Sequence, residues 1–191
     1  ALSVVLTTIS TCVAAVMTPL LTKALAGYLV PVPFGGLMAS TLQVVAAPVA
    51  LGVLIQQTFP KQVEKVAPFC PVVVVAAVLL ICSSIIGQSA SAIMSAGPIL
   101  IVAILMLHTG GFMIGFGIAK MLGFEKEVCR TISIEVGMQN SALGVVLATQ
   151  HFANPLTAVP CAISATAHSC IGSLFAANWR RQDNASEIQE K

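Results

Sequence analysis

The sequence predicts an all-α, polytopic membrane protein with six transmembrane helices. Hydrophobic residues make up 57% of the chain and charged residues only 8%, whereas about 25% of residues are charged in an average soluble domain. Apolar segments of about 20 residues, the length that a membrane-spanning helix needs, recur along the chain. Eight of the nine Lys and Arg residues fall on one side of the resulting layout, which agrees with the positive-inside tendency.

The first three segments are separated by proline-containing or polar connections. Pro19 lies near the end of the first segment, and a loop with Pro31 and Pro33 follows it. The polar stretch 60–65 separates the second segment from the third. These breaks predict spans at residues 1–26, 36–56 and 67–86.

The last three segments follow a short, uncharged connection at residues 87–97. A charged loop at residues 120–130 precedes the fifth segment, and the loop 151–155 leads into the sixth. A polar tail at residues 181–191 ends the chain. The predicted spans are residues 98–119, 131–149 and 156–179. Lys23 alone lies opposite the other basic residues, whose side is expected to face the cytosol or a plastid stroma.

Composition and charge exclude several functional classes. The net charge is only +2, and no basic patch is interleaved with aromatic residues, so nucleic acid is not an expected partner. The six cysteines are scattered without CxxC spacing, which favours small buried apolar residues over disulfides or a zinc site. We therefore expect no cofactor, and the lipid bilayer is the first expected partner.

The fifth predicted span carries the strongest functional signal. Its middle contains Glu135, Gln139 and Asn140 around Gly137, and the span contains no Lys or Arg. A carboxylate at the centre of a bilayer costs about 2.5–3.5 kcal/mol on the insertion scale. A bound cation is the leading explanation of what offsets this cost. The glycine among polar residues favours a helix that is broken at mid-membrane, as in secondary transporters.

Other interpretations of these polar residues stay open. Glu135 could be protonated and hydrogen-bonded to a neighbouring helix, or it could carry a proton instead of a metal ion. Ser3 and Thr7 are four residues apart and share one helix face, which Thr11 extends. Hydroxyls in membrane helices nevertheless commonly bond to their own backbone, so this row has a purely structural explanation as well.

Three histidines are further candidates. His168 lies in the sixth segment, where it could bind an anionic substrate, relay protons or hydrogen-bond to another helix. His108, in the fourth segment, gives a similar but weaker signal. His151 lies in a predicted loop, where we expect it to be solvated.

Residues 130–144 read Arg-Thr-Ile-Ser-Ile-Glu-Val-Gly-Met-Gln-Asn-Ser-Ala-Leu-Gly. This string resembles the ninth-helix motif of the bile acid:sodium symporter family. Further strings that resemble the family lie at residues 1–4, 17–22, 42–45, 154–160 and 168–174. Residues 147–161 are most similar to the plant members of the plastid envelope, the sodium/metabolite cotransporters. The resemblance covers nearly all of the chain.

The resemblance implies a fold of ten helices in two inverted repeats, with a broken, crossing helix in each. This chain would hold the last helix of repeat one and all of repeat two. The N-terminal half of the same protein is then an expected partner, because the chain begins inside an apolar segment without Met. Residues 1–26 would be a core helix, 36–88 panel helices, and 97–180 core helices with 131–149 unwound. Residues 181–191 would be a polar tail.

The resemblance also implies two sodium sites and a substrate site. The implied sodium-binding residues are Ser3, Thr7, Glu135, Val136, Met138 and Gln139, of which Val136 and Met138 would act through their main-chain carbonyls. Asn140 and His168 match positions that face the substrate in relatives. Two departures matter: the segment that completes the first sodium site in relatives precedes residue 1, and Ser169 stands where some bacterial relatives have Asn.

The expected function is sodium-coupled symport of an organic anion, a small carboxylate metabolite, by alternating access. In a plant the expected location is the chloroplast envelope. The alternative is a proton-coupled carrier of the same fold. Two other classes are weaker: an intramembrane enzyme that uses Glu135 with His168 or His108, and a non-transporting membrane scaffold. No HExxH or GxSxG motif supports an enzyme.

Overall fold

The computed structural model describes residues 2–96 and 98–189, which form only helices, turns and short connections. In chain order the α-helices are α1 (Leu2–Ala26), α2 (Phe34–Thr58), α3 (Pro60–Val66), α4 (Cys70–Gln88), α5 (Ala90–Ala96), α6 (Pro98–Met121), α7 (Lys126–Gly137), α8 (Ser141–His151) and α9 (Val159–Gln189). Two 3-10 turns, Ala67–Phe69 and Pro155–Ala158, lead directly into α4 and α9. The outermost positions of three predicted ranges, residues 1, 97, 190 and 191, lie outside the described residues.

Five helical stretches within the described ranges are long and apolar enough to cross a membrane. They lie in α1, α2, α6, the stretch Pro60–Gln88 and the stretch Pro155–Ala185. The chain is therefore an integral, multi-pass membrane protein, as its composition predicts. The fifth span predicted from the sequence differs from the others because it is interrupted: α7 ends at Gly137 and α8 begins at Ser141.

Polar segments are more helical than the sequence suggests. The charged loop predicted at 120–130 is reduced to residues 122–125, because α7 begins at Lys126. The polar tail continues α9 as far as Gln189. Ion pairs of 3.0 Å from Lys126 and 2.6 Å from Arg130 to Asp183 connect these two helical extensions. Each extension therefore has a partner that favours its helical form.

Small residues let α6 and α7 approach each other closely. A Cβ added at Gly115 would lie 2.9 Å from the Cβ of Val136, and one added at Gly111 would lie 3.1 Å from the Val136 carbonyl oxygen. Ser133, on α7, donates a hydrogen bond of 2.7 Å to the carbonyl of Phe112 on α6. Close packing and interhelical hydrogen bonds stabilise helix pairs in lipid, where the hydrophobic effect contributes little between helices.

Gly137 lies next to the helix break that the sequence predicts, and the structure adds a packing role for it. Its φ is not positive, since Gly123 is the residue with positive φ in the described chain, and it is the last residue of α7. A Cβ added at position 137 would overlap the ring of Phe112, which is completely buried. Gly137 therefore makes room for a large side chain beside the break, and does not supply a special backbone conformation.

Aromatic rings join α6 to α9. The ring centroids of Phe112 and Phe175 lie 5.1 Å apart, and those of Phe116 and Trp179 lie 6.3 Å apart. The guanidinium of Arg130, on α7, lies 5.5 Å from the centroid of the Trp179 ring. Such stacked and cation–π pairs contribute beyond the apolar area that they bury. They hold α6, α7 and α9 together as one packed unit.

The helices α2, α3 and α4 bury little of their surface within the chain. Leu37 and Thr41 are the buried residues of α2, and Cys82 is the buried residue of α4. Cys82 packs into a small cluster with Val145 of α8 and with Ala162 and Ala165 of α9. The sequence analysis expects the six cysteines to be buried, and the structure corrects this in part. Only Cys82 and Cys129 are buried in the described structure, whereas the other four are half-buried or exposed.

Candidate functional site

The interruption between α7 and α8 consists of residues 138–140. Met138 has extended backbone angles (φ −92°, ψ 113°), although its N–H still bonds to the Ile134 carbonyl at 2.8 Å. The Asn140 side chain caps α8 by accepting a hydrogen bond of 3.1 Å from the Leu143 N–H. An Asn at this position satisfies a donor that the first turn of a helix leaves free. The C-terminus of α7 and the N-terminus of α8 thus meet at a short, ordered break.

Glu135 lies in the last turn of α7 and accepts hydrogen bonds from α1. Ser3 Oγ lies 2.5 Å from Oε1 of Glu135, and Thr7 Oγ1 lies 2.8 and 2.9 Å from the two carboxylate oxygens. Thr7 Oγ1 also lies 2.9 Å from the Ser3 carbonyl, so three acceptors share its single hydrogen. The structure therefore brings together the three side chains that the family resemblance assigns to one sodium site.

No fixed cation neutralises Glu135 in the described part of the chain. The ion pairs there join Lys126 and Arg130 to Asp183, and none reaches Glu135. His108 does not pair with Glu135 either, because its two ring nitrogens contact Gly137 and Ser164. Hydroxyl oxygens and a half-buried carboxylate are thus the donor atoms present, and oxygen ligands of this kind suit a hard cation such as Na⁺.

A cavity of about 900 Å³ opens beside the break. Its polar wall contains Glu135, Gln139 and Asn140, together with hydroxyls of α1 such as Thr7 and Thr11. Its apolar lining includes Leu100, Ala103, Ile104, Leu107, Leu143 and Leu147. Among the described residues, no Lys, Arg or His lines it. The volume of the cavity is that of a small-molecule pocket. Glu135 gives its lining an acidic side chain.

The other predicted site residues fall into two sets. Met138, Gln139 and Asn140 line the cavity. Val136 and His168 do not: the Val136 carbonyl lies against Gly111 of α6, and His168 is buried against α6. No cluster of three or more His, Cys, Asp or Glu side chains that could hold a metal ion occurs in residues 2–96 and 98–189.

His168 lies beside a second histidine, and its own hydrogen bonding is incomplete. The rings of His108 and His168 meet edge to face with centroids 5.1 Å apart. Nε2 of His168 is buried without a hydrogen-bond partner among the described residues, and Nδ1 lies 3.5 Å from Ser169 Oγ, which is long for a hydrogen bond. Buried polar atoms without partners are uncommon in native proteins, so this nitrogen is a candidate contact for a ligand or for another part of the protein.

Two histidines that the sequence ranked low make well-defined contacts. His108 is completely buried, with Nδ1 2.9 Å from the Gly137 carbonyl and Nε2 2.9 Å from Ser164 Oγ. His151 corrects the expectation of a solvated side chain, since it is half-buried and its Nε2 lies 2.8 Å from Ser40 Oγ. In the sequence, the signal for a buried His108 was its position in an apolar segment, next to the small residues of Thr109-Gly110-Gly111.

Comparison with known proteins gives consistent matches. Residues 1–96 match the model of the sodium bile acid symporter family. The chain is 52% identical over 181 residues to the protein described as probable sodium/metabolite cotransporter BASS1, chloroplastic, of Arabidopsis thaliana, with 95% of this chain and 45% of that protein covered.

Two further relatives widen the comparison. The BASS2 counterpart of Oryza sativa subsp. japonica is 47% identical over 182 residues, with 95% of this chain and 43% of that protein covered. The sodium-dependent transporter YocS of Bacillus subtilis (strain 168) is 42% identical over 192 residues, with 100% of this chain and 59% of that protein covered. The chain thus spans about half the length of the curated relatives that it matches.

Proposed function

Since the chain belongs to the sodium bile acid symporter family, we propose that it forms the ion-binding part of a sodium-coupled secondary transporter. One observation carries this proposal most directly. The Glu135 carboxylate is half-buried beside a break in a membrane helix, and it contacts hydroxyl groups but no fixed cation among the described residues. Hydrogen bonds from two neutral hydroxyls offset only part of the cost of a charge in lipid. A bound Na⁺ would offset the rest.

The first proposed sodium site consists of the side chains of Ser3, Thr7 and Glu135. Support comes from their distances of 2.5 to 2.9 Å. A hydroxyl oxygen can accept as well as donate, so rotation of the two hydrogens would turn the same oxygen lone pairs towards an ion. The three side chains therefore already lie close enough to become oxygen ligands of one ion after small shifts.

The second proposed sodium site consists of Glu135 and Gln139 with the carbonyls of Val136 and Met138. Gln139 and Met138 line the cavity next to Glu135, which supports their part in it. The Val136 carbonyl lies against Gly111 of α6 in this structure. Its participation would need a small rotation of the peptide, and it is the least supported of the four ligands.

The proposed substrate is a small organic anion, with a carboxylate as the simplest case. The charges of the cavity would make binding of such an anion depend on Na⁺, because no Lys, Arg or His lines its described part and Glu135 is acidic. An anion would be repelled unless cations bound first, so the same Na⁺ ions that neutralise Glu135 would make room for the substrate charge. The coupling between Na⁺ and substrate binding would therefore be electrostatic. Asn140, which lines the cavity, is the first proposed substrate contact. His168 is the second, through Nε2, which has no partner within the described chain, although His168 does not itself line the described cavity.

We place the chain in a larger architecture of ten helices in two inverted repeats. Relatives are about twice as long as this chain, so a preceding half is proposed to complete the cavity. Helix α1 and residues 97–180 would form core helices, with the broken α7–α8 segment crossing its counterpart, and residues 36–88 would form the panel. Residues 181–191 would extend from the core. The names of the plant relatives support a location in the chloroplast envelope.

Alternating access would follow from movement of core against panel. Ion binding joins α1 to α7 through Glu135, and the occupied core would then move as a unit. A membrane potential supplies about 2.3 kcal/mol per charge per 100 mV, so two Na⁺ ions carried with one monoanion could drive its accumulation.

Uptake by proteoliposomes that contain the complete protein tests the sodium claim. A mixture of radiolabelled small carboxylates would be offered with Na⁺ or with choline, and we expect uptake only with Na⁺. Glu135→Gln removes the charge at nearly constant volume and should abolish the sodium-dependent part. Glu64→Gln, on the exposed helix α3, is the matched control. Equal uptake in Na⁺ and choline would contradict the proposal.

Proton coupling is the second candidate, because the hydroxyl contacts of Glu135 would also suit a carboxyl group that cycles between two protonation states. A pH jump at fixed Na⁺ distinguishes the two. Proton coupling predicts that a pH gradient alone drives uptake, whereas sodium coupling predicts none without a Na⁺ gradient or a membrane potential.

A further inference from the structure

His108 lies where the broken helix needs a hydrogen-bond donor. In an unbroken α-helix, the carbonyl of residue 137 would accept a hydrogen bond from the N–H of residue 141. Here the Ser141 N–H donates to the Gln139 carbonyl at 2.9 Å. The Gly137 carbonyl lies 2.9 Å from Nδ1 of His108 instead. The side chain of His108 thus replaces the main-chain donor that the break removes.

The contacts of His108 define which nitrogen carries its hydrogen. A carbonyl oxygen can only accept, so Nδ1 is the protonated nitrogen. Nε2 of the neutral ring then accepts a hydrogen bond from the Ser164 hydroxyl at 2.9 Å. His108 is 0% exposed, and water therefore does not compete for either contact. From its place on α6, the ring joins the end of α7 to α9.

We propose that His108 is a positioning residue for the sodium sites, which holds the end of α7 in its broken form. The inference rests on the proposed function. His108 does not line the cavity, so it would act on the ion only through Gly137. Without this donor the Gly137 carbonyl would be buried and unpaired, a state that native structures avoid. The ordinary bond between residues 137 and 141 would then become favourable, and its formation would displace Met138 and Gln139 from the cavity.

Two polar replacements separate this role from ordinary packing. Asn has an amide nitrogen at the same number of bonds from Cα as Nδ1 of histidine, so His108→Asn keeps a donor for Gly137. Gln is one bond longer, so His108→Gln keeps an amide near Ser164 but moves it away from Gly137. Neither variant introduces a charge or a large apolar group.

The measurement is the melting temperature of the complete, purified transporter as choline is replaced by increasing Na⁺, since a ligand that binds the folded state raises it. We expect His108→Gln to need about tenfold more Na⁺ than wild type for the same rise in melting temperature above its value in choline, which corresponds to about 1.4 kcal/mol, and His108→Asn to stay within about twofold of wild type.

The possible results are distinguishable. An unchanged Na⁺ requirement in both variants would overturn the positioning role even if both melt at lower temperature in choline, because a merely structural residue changes stability without changing ion affinity. An equal loss in both variants would overturn the donor geometry. A wild-type protein that does not respond to Na⁺ at all would contradict the proposed function, and this inference with it.

Discussion

The helices α6–α9, which we call the packed group, and the helices α2–α4, the peripheral group, are both apolar but differ in how they pack. In the packed group, His108, Phe112 and Ser133 are each 0% exposed. In the peripheral group, most large apolar side chains are exposed, as in the run Val72–Val75. The contrast teaches that apolar content predicts which segments cross a bilayer but not which faces pack.

Small and polar residues mark the packed faces instead. Gly111, Gly115 and Gly137 each lie against a neighbouring helix or ring, whereas a Cβ added at Gly52 of α2 would meet no described atom within 4 Å. Interhelical hydrogen bonds from Ser133 and His108 accompany these contacts. In lipid, where an apolar surface gains little from contact with another apolar surface, such features decide the arrangement.

The largest expected effect tests this contrast with one substitution in each group. Gly137→Ala places a methyl group inside the van der Waals envelope of the completely buried Phe112 ring, and such overpacking should destabilise the protein by about 3 kcal/mol. Gly52→Ala meets open space and should be neutral or stabilise α2 by up to about 1 kcal/mol. Thermal unfolding followed by size-exclusion chromatography measures both. Similar losses in the two variants would contradict the division into packed and peripheral groups.

Much of the fold follows from the sequence, and the reasons are physical. Long apolar segments must be helical in lipid because their backbone groups need partners. Five of the six predicted spans therefore fall on long apolar helices, and the remaining one, residues 131–149, is the interrupted segment. The break next to Gly137 was also predicted, from Glu135, Gln139 and Asn140 in an apolar segment. The packing role of Gly137 was not predicted, since the space that it leaves for Phe112 is a contact between helices that no local pattern reveals.

The candidate site was less predictable than the fold. Ser3 and Thr7 are 132 and 128 residues from Glu135, and it was the family resemblance, more than their spacing, that connected them. His108 and His151 were undervalued because their partners, Gly137 and Ser40, come from distant parts of the chain. Sequence patterns identify which residue types are costly in lipid, but they do not identify what pairs with them.

A smaller effect is expected where a hydroxyl joins two helices. Thr7→Val keeps the side-chain shape but removes the donor shared by the Glu135 oxygens. We expect the Na⁺ half-saturation of uptake to rise about tenfold, which corresponds to about 1.4 kcal/mol, because the variant loses the Thr7 oxygen as a proposed Na⁺ ligand. Thr58→Val is the control in the peripheral group, because the Thr58 hydroxyl bonds to the Leu54 carbonyl of its own helix at 2.7 Å. An equal response of the two variants would remove Thr7 from the proposed ion site.

The smallest expected effect concerns the contact between the two groups. His151, at the end of α8, lies 2.8 Å from Ser40 Oγ on α2, and a Cβ added at Gly36 would lie 3.2 Å from its ring. A double-mutant cycle of Ser40→Ala and His151→Ala, read from reversible unfolding in mixed micelles, should give a coupling energy of about 0.5–1.5 kcal/mol. The bond joins segments that we assign to panel and core, so it must break whenever these move apart. A strong coupling would therefore oppose transport. Additive effects of the two substitutions would contradict the predicted coupling and show that the packed and peripheral groups are joined here by packing alone.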